Sequence, residues 1–149
     1  MFLNCKTWFS YRYGTFSTRE LVDKAADLGL QALALTNINS TADLWDFVEF
    51  CREKNLKPIA GTEIRNGDGL CYTLLAKNDA GLLEINRFLS IHLQEELLFP
   101  ARPDCFLEVL IIYPVGKYAV EELKDHEFIG VLAGELNRIK KQELQAFPK

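Results

Sequence analysis

The sequence predicts an α/β fold on a mostly parallel sheet, open or curled towards a barrel, and three observations lead there. Strand-length apolar runs alternate with segments of helical period along the chain. Residues 30–36 (LQALALT) form a nearly continuous apolar run, the mark of a strand covered on both faces. The 149 residues are 48% hydrophobic, enough for one sizeable core.

Each element follows from local chemistry. Residues 2–5 are a short apolar first strand. Ser17-Thr18-Arg19-Glu20 fits a capping box, because an N-cap hydroxyl and a glutamate three residues on satisfy each other's backbone amides. Leu21, Val22, Ala25, Ala26 and Leu28 continue at helical spacing, and Gly29 suits the position after the helix. After strand 30–36, Ser40 or Thr41 caps a second helix carrying Leu44, Phe47, Val48 and Cys51, with Asn55 at its end. Residues 57–64 (KPIAGTEI) are a third strand, with Pro58 near its start. Asn66-Gly67-Asp68-Gly69 is a turn into a fourth strand at 71–76, so these two strands pair as a hairpin. Asn78 caps a third helix with Leu82, Ile85, Phe88 and Leu89 on one face, and 94–103 is an exposed loop. Residues 106–113 are a strand, 119–124 a short helix, 128–132 a strand and 135–146 a final helix. No repeat, linker or low-complexity stretch interrupts the chain, which reads as a single domain over 1–149.

Composition removes several function classes. Ten Phe, five Tyr and two Trp exclude disorder as a description of the whole chain. No apolar run approaches the roughly 20 residues of a membrane span, and MFLNCKTWFS lacks the order of a secretory signal. A cytoplasmic location is the expectation. The net charge of −4 disfavours a domain that grips nucleic acid alone. Cys5, Cys51, Cys71 and Cys105 lie far apart without a C-x-x-C, so reduced thiols are the simpler reading and a disulfide pair the alternative.

In such folds chemistry collects at the carboxyl ends of the strands. Here that rim holds Lys6 and Thr7, Asn37 and Asn39, Glu63 and Arg65, then Lys77. It contains no phosphate-cradling glycine motif, no close histidine cluster and no nucleophile elbow. Glu63 is the one acid at the end of the first three strands, and an ion-paired carboxylate is a commoner fate than a catalytic one.

The segments LNCKTWFSYRYGTFSTRELVDKA, ALALTNIN, KPIAGTEI and YTLLAKNDAGLLEINRFLS, in this order, resemble the start of a PHP domain. More narrowly they resemble the amino-terminal PHP domain of bacterial DNA polymerase III alpha subunits, the C-family replicative polymerases. The later FLEVLIIYPVGKY and FIGVLAGELNR are similar to a Bacteroidetes-type version. The resemblance implies a distorted (β/α)7 barrel, of which this chain would be about the first half, leaving an open sheet edge able to pair between copies. Active members of the family hold metal ions with His and Asp/Glu at the strand ends and turn water on a phosphoester.

Carried over by position, the family's first His-x-His falls on Asn4 and Lys6, its Asp-His on Asn37 and Ile38, its Glu on Glu63 and a further His on Cys71. Only Glu63 keeps its ligand type. An ammonium, an aliphatic chain and two carboxamides do not replace imidazole and carboxylate as ligands, and one thiol is a single zinc ligand where structural sites need four. The resemblance therefore implies a non-catalytic docking module without metal of its own. The parent polymerase would transfer nucleotides with magnesium in a palm domain outside this chain. Partners would be its other domains and other replisome subunits, with DNA met only through the full-length protein and no membrane. A metal-dependent phosphoesterase, acting as a 3′–5′ exonuclease or pyrophosphatase, and a stand-alone α/β regulator are the alternatives.

Lys6 is also the nearest cation to replace a lost metal beside Glu63, which predicts a link between them, as a direct ion pair or through one water, with Asn37 as a candidate third member. His92 reads as a hydrogen-bonded structural residue and His126 as solvated. Trp8 and Phe9 read as packing at the barrel rim or bottom in preference to stacking a base, Tyr11-Arg12-Tyr13 as a loop that packs or meets a neighbouring domain, and Trp45 as partly buried. Gly14 and Gly61 serve backbone needs, and Arg138, Lys140 and Lys141 form a solvated basic face.

Overall fold

A computed structural model describes residues 2–131 of the chain. Within them the strands are β1 (Phe2–Cys5), β2 (Ala32–Leu35), β3 (Lys57–Asn66), β4 (Gly69–Ala76), β5 (Val109–Pro114) and β6 (Glu127–Gly130). The helices are α1 (Thr18–Asp27), α2 (Leu44–Glu53) and α3 (Asp79–Gln94). The predicted final helix at 135–146, with Arg138, Lys140 and Lys141, lies outside the described residues.

The strands form one sheet in chain order. β1, β2 and β3 are mutually parallel, β4 is antiparallel to both β3 and β5, and β6 is parallel to β5. Every described strand except β4 thus runs in one direction. The predicted mostly parallel α/β sheet with a lone hairpin is the observed one, with the turn Asn66–Gly69 where the Asn-Gly-Asp-Gly sequence puts it.

The helices cover one face. α1 and α2 press Val22, Ala25, Phe47 and Cys51 onto Leu33 and Leu35 of β2. α3 presses Ile85, Phe88 and Leu89 onto Tyr72 and Leu74 of β4 and Val109 and Ile111 of β5. Each such apolar side chain contributes about 1.5–3 kcal/mol by leaving water. Alternation along the strands sends Leu75, Leu110, Ile112 and Phe128 to the opposite face, where they line a large open cavity.

Local caps hold the helices as their sequences require. Ser17 and Glu20 form the capping box of α1, and the Asn78 side chain accepts from the Gly81 amide at the start of α3. α2 differs: its N-cap is Asp43, not Ser40 or Thr41, and the Asp43 carboxylate makes no capping bond. Residues 119–124 are a single 3₁₀ turn, Val120–Glu122, too short for an α-helical ladder. The loop 94–103 is not wholly exposed, because Phe99 is buried and trades two hydrogen bonds with the Asn66 side chain. Trp45 is 82% exposed instead of partly buried. The buried stripe of α2 is Leu44, Phe47 and Cys51, and Trp45 is turned off it by one helical step. All four cysteines are free thiols.

Candidate functional site

The carboxyl ends of β1 and β3 meet around one carboxylate. Ile64 packs into the helix-side core, so its neighbour Glu63 points to the opposite face, where it is only 1% exposed. Glu63 Oε2 accepts from Lys6 Nζ at 2.8 Å and from Asn4 Nδ2 at 3.0 Å, while Oε1 accepts from Arg65 Nε at 2.6 Å. Asn4 Oδ1 accepts from Lys6 Nζ at 2.5 Å and from the Thr36 hydroxyl at 2.9 Å. Arg65 is held from outside: its Nη1 donates to the Tyr13 hydroxyl and to the Asp68 carbonyl, and its guanidinium lies 4.3 Å from the Tyr13 ring centre.

Burial by itself pushes the Glu63 carboxyl up. The hydrogen bonds from Lys6 and Arg65, with the ammonium charge and Asn4, outweigh it and hold the group below the usual glutamate range. One carboxylate and two cations leave the cluster with a formal charge of +1. The predicted Lys6–Glu63 pair is therefore present and almost dry, with Lys6 12% exposed.

Asn37 is not its third member. The Asn37 amide sits in a separate buried knot, donating to Asp43 Oδ1 at 2.7 Å and to the Thr7 hydroxyl at 2.9 Å, while its Oδ1 accepts from the Thr7 amide and the Ser10 hydroxyl. The hydroxyls of Thr7 and Thr18 both donate to Asp43 Oδ2, at 2.7 and 2.8 Å. The knot ties the β1–α1 loop to the ends of β2 and α2. Ile38 touches Glu63 only through the backbone ladder that prolongs β2 along β3. Cys71 stands apart: it packs against the Tyr72 core, with its sulfur 3.8 Å from the Gly69 carbonyl.

Three of the six positions carried over, Asn4, Lys6 and Glu63, are thus brought together, and Asn37, Ile38 and Cys71 are not. Arg65 and Tyr13 complete the cluster and were not named for it. Arg65 had a readable signal, two residues beyond Glu63 on one strand; Tyr13, 52 residues away from Arg65, had none. Asp43 was missed because the sequence offers Ser40 and Thr41 as caps for α2 and carries no sign that the Asp43 carboxylate turns to Thr7, Thr18 and Asn37. His92 is structural as expected, its Nδ1 2.8 Å from the Phe88 carbonyl and its ring stacked on Phe99. His126 is half-buried, and its carbonyl receives the Ile111 amide.

A divalent ion does not suit this cluster. Both oxygens of Glu63 already face cations, with the Lys6 ammonium 2.8 Å from Oε2 and the Arg65 Nε 2.6 Å from Oε1. Among the described residues no three His, Cys, Asp or Glu side chains are grouped to hold a metal. No described helix is long and apolar enough to cross a membrane.

Known proteins are similar to parts of this sequence. The family model described as PHP domain matches residues 3–148. An error-prone DNA polymerase of Pseudomonas paraeruginosa is 36% identical over 88 residues, which are 59% of this chain and 9% of that protein. The DNA polymerase III subunit alpha of Neisseria meningitidis is 30% identical over 94 residues, 59% of this chain and 8% of that protein. The chain thus matches under a tenth of the length of these relatives. A crystal structure of a candidate metal-dependent phosphoesterase from Bifidobacterium adolescentis aligns with a TM-score of 0.43 and 28% identity, over 63% of this chain and 34% of that one.

Proposed function

The chain belongs to the PHP domain family, and from that premise we propose that it is the amino-terminal PHP module of a DNA polymerase of the III alpha type and that its own role is structural. One observation carries the second half of the proposal. The strand-end glutamate kept from the family's ligand set is closed by Lys6 and Arg65, so the positions expected to hold metal and activate water instead form a fixed, salt-bridged joint between β1 and β3.

In this role Asn4, Lys6, Glu63 and Arg65 do the mechanical work that a metal cluster does in a catalytic relative: they tie strand ends together across the sheet. Asn37, Ile38 and Cys71 are vestiges of the same ligand set, reassigned to a hydrogen-bonded knot, a backbone ladder and a core edge. Nucleotidyl transfer, with magnesium, belongs to other domains of the parent polymerase. Those domains and other replisome subunits are the partners this module docks.

The test is activity and metal content together. The purified chain, dialysed and then supplied with manganese, is expected to hydrolyse neither a model phosphodiester nor a single-stranded 3′ end above background, and elemental analysis is expected to find less than one zinc, manganese or iron per chain. Turnover that survives repurification and falls in a Glu63→Ala variant would replace the structural reading with a phosphoesterase.

A further inference from the structure

Two groups of exposed apolar side chains have no part in the structural joint. One is the β1–α1 loop, where Trp8 and Phe9 were expected to pack at the rim and instead stand 59% and 51% exposed. The cations beside that loop, Lys6 and Arg65, are taken up by Glu63, so charge selects no occupant there. The other is the outer face of α3 with the loop that follows it, and there charge does select.

α3 buries Ile85, Phe88 and Leu89. Helical period then sets Leu83, Arg87 and Ile91, at four-residue steps, in one ridge on the solvent side. Leu83 and Ile91 are half-exposed or more. Leu107 is held beside this ridge. Glu84 Oε2 accepts from the amides of Leu107 and Glu108, each at 3.1 Å. Gly81 lets the helix come so close that a Cβ there would lie 2.0 Å from the Glu108 carbonyl oxygen. Leu107 itself is 79% exposed, and Leu97 and Leu98 beyond the helix end are exposed as well. Exposed aliphatic side chains grouped in this way mark a contact surface. A backbone already fixed beneath them lowers the ordering cost of binding.

Residues 79–108 hold six acids, Asp79, Glu84, Glu95, Glu96, Asp104 and Glu108, against two bases, Arg87 and Arg102. The whole net charge of −4 therefore resides in this stretch, and the rest of the chain sums to zero. Arg102 is bound to Glu127. Among the described residues no ion pair engages any of the six acids. Such a surface repels a second copy of itself, because isologous pairing sets acid against acid. It repels nucleic acid for the same reason, and it attracts a cationic partner.

We propose that the outer face of α3 docks a basic amphipathic helix of a protein partner. That helix lays aliphatic side chains on Leu83, Ile91 and Leu107 and turns lysine or arginine towards Glu95, Glu96 and Asp104. A helix is the fitting element, because a four-residue ridge packs into the groove of a second helix. Arg87, in the middle of the ridge, adds the apolar surface of its stem. The proposal gives a surface and a partner chemistry to the docking role proposed above, and it rests on that role.

The probe is a labelled helical peptide of about 18 residues, leucine and lysine in amphipathic register. A leucine–glutamate peptide with the same apolar face is its counterpart. Each is titrated with the 149-residue chain and read by fluorescence anisotropy. Saturable binding of the lysine peptide, weakening as salt rises, is expected, with none of the glutamate peptide. Leu83→Ala and Leu107→Ala are each expected to weaken binding roughly 5- to 30-fold, with unchanged circular dichroism because both side chains are exposed. Glu95→Gln combined with Glu96→Gln should weaken it and flatten the salt dependence. Trp45→Ala, an exposed aromatic on α2, is the control and should bind as the parent does. No saturable binding of the lysine peptide, equal binding of the two peptides, indifference to both leucine substitutions, or an equal loss in Trp45→Ala would each overturn the proposal. So would sedimentation showing dimers that Leu83→Ala disperses, because the occupant would then be a second copy. Any of these without phosphodiester turnover leaves the structural role standing, whereas turnover that falls in Glu63→Ala strikes the role itself.

Discussion

Lys6 stands where its family would place a ligand, and its charge decides what Glu63 can do. A buried carboxylate needs a partner, since leaving it alone costs several kcal/mol. The ammonium supplies one directly on Oε2, and Arg65 covers Oε1. Lys6→Ala leaves Glu63 with Arg65 and Asn4, so the loss should be that of one charged hydrogen bond in a dry site, about 1–3 kcal/mol. An exposed pair such as Arg19–Glu53, with both side chains half in water, should cost about 0–1 kcal/mol when broken. Urea unfolding of Lys6→Ala and Arg19→Ala side by side checks the contrast; equal midpoints would mean that the strand-end pair is incidental. Removing Lys6 and Arg65 together should cost more than the sum of the single losses, because each covers for the other on the same carboxylate.

At the scale of elements, the β1–α1 loop and its knot are the parts most sensitive to small changes. Gly14 has no room for a side chain: a Cβ there would lie 1.9 Å from the Thr7 carbonyl oxygen. Gly14→Ala should therefore force the loop apart and destabilise the chain by about 1–3 kcal/mol, read as a lower urea midpoint with an unchanged slope. Asp43→Ala should cost about 3 kcal/mol or more, because it takes the acceptor from the Thr7 and Thr18 hydroxyls and one of two acceptors from the Asn37 amide at once. How legible these parts were follows their span in sequence. The caps at Ser17 and Asn78 join residues three apart and were readable as spelled. The turn at Asn66–Gly69 was equally local. The knot links Thr7, Asn37 and Asp43 across three elements, and nothing in the residue types distinguishes Asn37 turned towards Asp43 from Asn37 turned towards Glu63. The Lys6–Glu63 pair, 57 residues apart, was legible because the strand ends put both residues on one rim and the family resemblance placed them around one site. Trp45 was misplaced by a single helical step, which period alone does not resolve when Leu44 beside it is buried.

Across the whole molecule, two buried glutamates lock opposite halves of the sheet, and both respond to acid in the same direction. Glu63 joins β1 to β3. Glu127, at the start of β6, pairs with Arg102 and accepts from the Tyr113 hydroxyl on β5 and from the Lys124 amide. Arg102 hydrogen bonding leads the causes that draw the Glu127 carboxyl down to about 2, against an opposing push from burial. Glu63 is lowered too, by its Lys6 and Arg65 bonds acting against burial. In the unfolded chain both return to about 4.5, so below that value the unfolded state binds protons that the folded state refuses. The stability they contribute is thus complete above about pH 4.5 and is lost as the pH falls towards 2. Urea midpoints should hold steady above the carboxylate range and then drop through this window. Glu127→Gln should lower stability at neutral pH and flatten the acid limb, since a neutral amide releases no proton and gains none. Glu63→Gln should flatten it as well, and the double variant most of all. An acid limb as steep in the double variant as in the parent would place the acid sensitivity in other carboxylates and deny the two strand-end pairs their role as the sheet's locks.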